Sequence, residues 1–284
     1  MKIKTLEETD TKEILNVFNK SFSDYFIPFE LNNEQLNSKM FADKTDLKLS
    51  VGTFENGNLI AFILHGFDTI NNQRLVYNGG TGVVPEKRGA GLTKQMYHFV
   101  LPILIKEGVK KIILEVINEN IQAIKSYEKS GFKAERKLIC YNGKAEITLT
   151  NKHLVVKELQ KYDWNTMKSF WDIFPTWQNS ESVLDNLKSN NISLGAYIEN
   201  QLIGYVIYNP KKKRIQQIAI SKNFRKKRAA STLISELIKK YGNALSIINV
   251  DKTSKTLNNF LIKIGLESNL EQLEMMLELD KNYS

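Results

Sequence analysis

A glycine-bearing turn between an extended apolar segment and an amphipathic helix constrains this chain more than any other feature. Residues 83–94 read Val-Val-Pro-Glu-Lys-Arg-Gly-Ala-Gly-Leu-Thr-Lys. Arg74 to Val84 before them reads as a strand, and Thr93 to Lys106 after them carries Met96, Val100, Ile103 and Leu104 at helical spacing. The first turn of a helix leaves amide N–H groups without partners and carries partial positive charge, so this strand-to-helix turn suits an anion. Gly89 and Gly91 lack a Cβ and let a phosphate approach the main chain, and Arg88 adds a cation. Alone, such a loop is more often a plain tight turn.

The segment downstream narrows the choice. Lys110 to Val116 is a continuous apolar strand, and Asn118-Glu119-Asn120 caps a helix that carries Ala123, Ile124 and Tyr127 and ends at Gly131-Phe132. No Gly-Lys-Ser/Thr comes after the loop, so a P-loop nucleotide site is excluded. The loop also comes after several strands, not the first, which excludes a Rossmann dinucleotide unit. Arg-Gly-Ala-Gly-Leu at 88–92 and Asn-Ile-Gln-Ala-Ile-Lys-Ser-Tyr-Glu-Lys-Ser-Gly-Phe from Asn120 to Phe132 resemble the two signature segments of the GNAT superfamily of acetyl-coenzyme-A-dependent N-acyltransferases, the second being the more specific.

The resemblance implies an α/β (α+β) fold with a mixed, mostly antiparallel central sheet flanked by helices. It implies acetyl-CoA as co-substrate, its pyrophosphate on the amides of Arg88, Gly89, Ala90, Gly91, Leu92 and Thr93 and its pantetheine arm along Val83 and Val84. Thr93 departs from the usual small Gly or Ala. Tyr127 occupies the place of the general acid toward the coenzyme A sulfur; from the residues alone it is also readable as a core position of an amphipathic helix. Asn120 would hydrogen-bond the pantetheine or acyl region, and a plain helix cap explains it as well. Many family members carry a general-base Glu on the central strand, but Leu75 to Val84 has no carboxylate. Glu115 on the adjacent strand is the nearest candidate, and a salt bridge to lysine accounts for it equally.

The second half repeats the order of the first. Helical stretches at Trp164 to Phe174 and Ser182 to Lys188 precede strands at Ile192 to Ile198, Leu202 to Tyr208 and Arg214 to Ser221. A basic loop and helix from Asn223 to Tyr241, a strand from Ala244 to Val250 and a helix from Leu257 to Gly265 complete the repeat. The reading is a tandem duplication: residues 1–150 as a catalytic domain, closed by a strand at Ala145 to Thr150, and residues 151–284 as a degenerate, non-catalytic copy. In that copy Arg228 stands where Gly91 lies, and Phe260 is read at the position of Tyr127.

Composition bounds the rest. Residues 1–150 hold 20 Lys/Arg against 18 Asp/Glu, and residues 151–284 hold 20 against 13, so most of the +9 net charge falls in the second half. Its basic runs are Lys211 to Arg214 and Arg225 to Arg228, readable as a solvated face or as the site of an anionic partner. A single cysteine, Cys140, excludes a disulfide framework and suggests a reducing compartment. No metal is expected, since His65, His98 and His153 lack ligand spacing. A cytoplasmic protein without a membrane span is expected. Partners are acetyl-CoA and an amine acceptor of unnamed identity; nucleic acid is disfavoured but open, as is oligomeric state. A second reading makes the chain a non-catalytic acetyl-CoA sensor whose basic half engages an anionic partner.

Overall fold

The structure is a computed structural model, and residues 1–25, 30–70 and 72–279 of it are described. The chain forms two compact units. The first comprises Met1–Glu135 together with the C-terminal segment from Leu273, and the second comprises Arg136–Gln272.

In chain order, the first repeat supplies β1 (Lys2–Thr5), α1 (Thr11–Phe22), α2 (Asn33–Ala42), β2 (Val51–Glu55), β3 (Asn58–Ile70) and β4 (Gln73–Val83). It continues with α3 (Leu92–Lys106), β5 (Val109–Ile117), α4 (Ile121–Glu128) and β6 (Lys133–Lys144). The second supplies β7 (Val155–Glu158), α5 (Trp164–Lys168), α6 (Glu181–Asn186), β8 (Ile192–Ile198) and β9 (Gln201–Asn209). After these come β10 (Arg214–Ile220), α7 (Ala229–Tyr241), β11 (Ala244–Asp251), α8 (Lys255–Lys263) and β12 (Leu266–Glu278).

Local chemistry accounts for the helices of the first unit. Asp10 caps α1 by accepting from Lys12 N, and Ile14, Val17, Phe18 and Ser21 then fall on one buried stripe. Asn32 and Gln35 form a reciprocal capping box at α2. β1 to β4 pair antiparallel and β4 pairs parallel with β5, giving the mixed sheet that was expected. Phe18, Phe62, Met96, Tyr97 and Leu104 are almost fully enclosed at its core.

In the first unit the order β1-β2-β3-β4-β5 is completed by the end of β12. Met275, Leu277 and Leu279 alternate along that segment and join the core beside Val109 and Ile112. In the second unit the order β7-β8-β9-β10-β11 is completed by β6 and the start of β12. There Ile139 and Tyr141 of β6 pack with Leu233, Leu237 and Ile247. Each compact unit therefore contains a strand from the other half of the sequence. The repeat of the sequence, divided near residue 150, and the compact unit of the fold are different divisions of the chain.

Two sequence expectations differ from the structure. Ala145 to Thr150 is not a strand; its first two amides bond to loop ends instead, Ala145 N to Asn243 O and Glu146 N to Ile264 O. The helix expected over Trp164 to Phe174 stops at Lys168, where the Ser169 hydroxyl turns back onto Thr166 O.

His65 of β3 is fully buried. Its Nδ1 donates to Leu49 O at 2.7 Å, and burial lowers its pKa from 6.5 to about 4. The folded state holds the ring neutral, so this group costs nothing above pH 6.5 and destabilises progressively as pH falls from 6.5 toward 4. We expect a loss of roughly 2–3 kcal/mol from this residue between pH 7.5 and 4.5. Urea unfolding of the parent and His65→Asn at both pH values measures it; the variant should lose less by that amount.

A fragment ending at residue 150 lacks Met275, Leu277 and Leu279, each worth about 2 kcal/mol of burial. It should be aggregated or protease-sensitive where the full chain is not. Far-UV circular dichroism and limited proteolysis compare the two.

Candidate active site

The loop after β4 has the geometry of an anion cradle. A 3-10 turn at Pro85–Lys87 leads into Gly89 and Gly91, both left-handed at φ 79° and 71°, and the first helical bond runs from Gln95 N to Gly91 O at 3.1 Å. The amides from Gly89 to Lys94 precede that bond. Leu92 and Thr93 face the core, so their contribution at the loop surface is backbone. Ala90 is exposed, and Val83 is half-buried. Val84 N donates to Ile60 O.

Arg88 behaves differently from the expectation of a ligand-facing cation. Its guanidinium makes two 2.7 Å bonds to the Asp24 carboxylate and donates to Ser21 O and Val83 O. This side chain therefore ties the loop to the end of α1. The Arg88 hydrogen bonds hold the Asp24 carboxyl below its ordinary range.

Beside the loop, β4 and β5 part. Their pairing ends at Tyr77↔Ile113, although β4 runs on to Val83 and β5 to Ile117. Tyr127 of α4 faces this gap from one side of the sheet. It is 9% exposed, and its hydroxyl hydrogen-bonds with Thr81 and Asn78. Asn78 Nδ2 in turn donates to Thr81 Oγ1 and to Tyr97 OH, each at 2.8 Å. Burial raises the Tyr127 phenol to about 12, so it stays protonated at neutral pH. Asn120 caps α4, its Oδ1 accepting from Ala123 N, while its Nδ2 reaches Tyr25 OH at 3.4 Å.

Glu115 lies on the opposite face. The Tyr77 hydroxyl donates to Glu115 Oε2 at 2.6 Å, and Asp43 and Glu274 are close enough to raise the Tyr77 phenol further after burial has done so. Asp43 pairs with Lys39, whose ammonium also donates to Gly79 O at 2.7 Å. The structure thus groups Tyr127 with Asn78, Thr81 and Tyr97, and groups Glu115 with Tyr77, Asp43 and Glu274. Sequence reasoning missed six of these. Asn78 and Thr81 were marked by polar residues inside an apolar strand; Asp43 and Glu274 carry no local signal, being brought in from remote segments.

The second unit keeps the loop backbone while changing its residues. Lys226 and Arg228 take the left-handed conformation of Gly89 and Gly91, at φ 60° and 64°. Arg225 repeats the bonds of Arg88, to Asp172, Phe170 O and Ile220 O. The amides of Lys226 to Ser231 therefore precede the first helical bond, Thr232 N to Arg228 O. The α8 end matches α4 through Gly265 N to Ile262 O, as Gly131 N bonds to Glu128 O. That register puts fully buried Leu261 at the place of Tyr127, not Phe260. Among the described residues no group of three or more His, Cys, Asp or Glu is placed to hold a metal, and no helix is long and apolar enough to cross a membrane.

The sequence matches the profile of the acetyltransferase (GNAT) family over residues 11–132 and 157–263, and the chain belongs to that family. Its fold is shared with a GCN5-related N-acetyltransferase from Sphaerobacter thermophilus, at 13% identity and TM-score 0.72 over 98% of this chain and 95% of that one. It is also similar to a tandem GNAT protein of the clavulanic acid biosynthesis pathway (10% identity, TM-score 0.69, 99% of each chain) and a GCN5-related N-acetyltransferase from Kribbella flavida (13%, TM-score 0.60, 97% and 70%). No curated protein sequence matches.

No heavy atom lies within 4 Å of a Cβ built on Gly91, so only its φ resists substitution. Gly91→Arg should fold at a cost of about 1–2 kcal/mol, as the second unit's own Arg228 suggests. Urea denaturation checks this; a loss above about 3 kcal/mol contradicts it.

Proposed function

We propose that the chain transfers an acetyl group from acetyl-CoA to a primary amine, with the chemistry in the first unit and the second unit non-catalytic. One observation carries the reading: β4 and β5 part beside a loop of open amides, with a protonated phenol at the gap. The amides of Gly89 to Lys94 fit a pyrophosphate, and the β4 edge beyond Tyr77, no longer paired with β5, fits an extended arm bearing amides. The acetyl thioester supplies the acyl group.

Glu115, on the acceptor side, takes the proton of the attacking ammonium. As the C–N bond forms and the C–S bond breaks, the Tyr127 hydroxyl donates to the leaving sulfur. A phenol at about 12 favours a strong hydrogen bond to the developing thiolate over early proton loss. Asn78 and Thr81 hold that hydroxyl in place. With Asp43 paired to Lys39, the carboxylates of Glu115 and Glu274 make the acceptor side favourable to a cation, which is the resting form of an amine. Leu261 and Ile248 at the positions of Tyr127 and Glu115 leave the second unit without the equivalent proton donor and base. The single cysteine fits action in the reducing cytoplasm.

Tyr127→Phe should lower turnover by about 10²-fold while changing the KM for acetyl-CoA less than threefold. Release of free thiol from acetyl-CoA over an amine panel measures both. A drop below threefold with unaltered Tm assigns Tyr127 to packing, and stoichiometric binding without thiol release on any amine favours the sensor reading.

A further inference from the structure

Gly79 is the bulge residue of β4, lying between the pairs Leu64↔Gly80 and His65↔Asn78. The peptide that joins it to Gly80 has both of its polar groups taken by side chains. Its carbonyl, Gly79 O, accepts from the Lys39 ammonium at 2.7 Å, and its N–H, on Gly80, donates to Asn78 Oδ1 at 3.0 Å. Asn78 is local to the strand, whereas Lys39 reaches Gly79 from the last turn of α2, 40 residues earlier in the chain.

Lys39 is paired there with Asp43, one helical turn on, and Asp43 is 4% exposed. Helix stability does not account for that pair. Asp43 is the C-cap residue of α2, so its carboxylate stands at the negative end of the helix dipole, and it is buried as well. Lysine before the acid at i,i+4 is also the less favourable order on a helix. Ordering a lysine side chain adds an entropic cost. What the pair achieves is contact with the bulge. Lys39 donates to Gly79 O, and a Cβ on Gly79 would lie 2.8 Å from Asp43 Oδ2, so the carboxylate rests against the bare Cα of the bulge residue. The exit of α2 is fixed by its own bonds: Thr45 N donates to Met40 O, Phe67 N to Lys44 O and Asp46 N to His65 O, which tie it to β3.

These contacts run on to the phenol of the candidate site. With its Oδ1 on Gly80 N, Asn78 turns Nδ2 to Thr81 Oγ1 and Tyr97 OH, and the Tyr127 hydroxyl bonds to Asn78 and Thr81. A bulge peptide free to turn over lets β4 shift its pairing by one residue, and such a shift sends Asn78 and Thr81 to opposite faces.

We propose that Lys39 is a positioning residue: its ammonium, held by Asp43, locks the Gly79–Gly80 peptide and thereby keeps Asn78 and Thr81 together at the Tyr127 hydroxyl. Lys39 touches no reacting atom and takes no proton. The kinetic consequence rests on the transfer reaction proposed above, whereas the lock itself does not.

Lys39→Met keeps the length of the side chain and loses the donor. In this variant, amide hydrogen exchange over residues 78–82, read by mass spectrometry on the full-length protein, should quicken at least tenfold, with Val51–Glu55 of β2 within twofold of the parent. The kcat for thiol release from acetyl-CoA over the amine panel should fall at least tenfold in the parent background. It should fall less than threefold in the Tyr127→Phe background, since a lock that acts through that hydroxyl has nothing left to position. Lys44→Gln removes the cation of a second Lys–Asp pair of the same region, Lys44–Asp68 at 2.9 Å, and should leave kcat within twofold. Lys39→Met strips a buried carboxylate of its cation and should lower the Tm. Should it fail to fold, Lys39→Met with Asp43→Asn, which removes both charges, should give the same exchange and kinetic results. Unchanged exchange at 78–82, kcat losses that multiply in full across the two backgrounds, or an equal loss in Lys44→Gln overturns the proposal. A parent that releases no thiol with any amine overturns the transfer reaction instead, and the exchange result then decides the role of Lys39.

Discussion

A one-residue bulge in β4 sets the geometry of the candidate site. Leu64 pairs with Gly80 and His65 with Asn78, so Gly79 is an extra residue that resets the alternation of the strand. Asn78 and Thr81, three apart, would face opposite sides of a regular strand. Across the bulge they meet on one side, where the Tyr127 hydroxyl bonds to both. Pairing with β5 ends just before the bulge, at Tyr77. Parting of the strands and assembly of the polar cluster thus have a common origin. Beyond the bulge, packing requires Gly82, since a Cβ there would come within 2.4 Å of the Phe62 ring.

The same device recurs in the second unit, at Gln216, with the loop and arginine clamp intact. Backbone geometry has been kept while side-chain chemistry diverged. Loop conformation depends on a few φ values and an Arg–Asp pair, which Lys226, Arg228, Arg225 and Asp172 still satisfy. Left-handed lysine and arginine cost about 1–2 kcal/mol each. That strain is tolerated on a rigid turn, and it is where a selective pressure other than stability can act.

Exchange of strands joins the fates of the two repeats. Half of β12 completes one core and half the other, and β6 serves the unit opposite its own repeat. A sheet edge that would otherwise be open is covered in each case, which removes a template for aggregation.

The duplication, the loop at 88–93, the helix with Tyr127 and most strands were legible in the sequence because each rests on local periodicity, caps and glycines. The carboxylate question was not. Glu115 was visible as a candidate, yet its neighbours Asp43 and Glu274 come from 72 residues before and 159 after it, and only packing unites them. Arg88 and Arg214 reversed their apparent roles for the same reason. One arginine in a promising loop is spent on Asp24, and another, in a basic run, is partly buried with its Nε unpartnered. The equivalence of Leu261 to Tyr127 required the helix-end hydrogen bonds, since a hydrophobic pattern tolerates a one-residue slip. The sequence by itself determined which elements form and that they form twice. Tertiary structure decided which unit each strand completes and which charges meet, because those depend on contacts between segments that share no local signal.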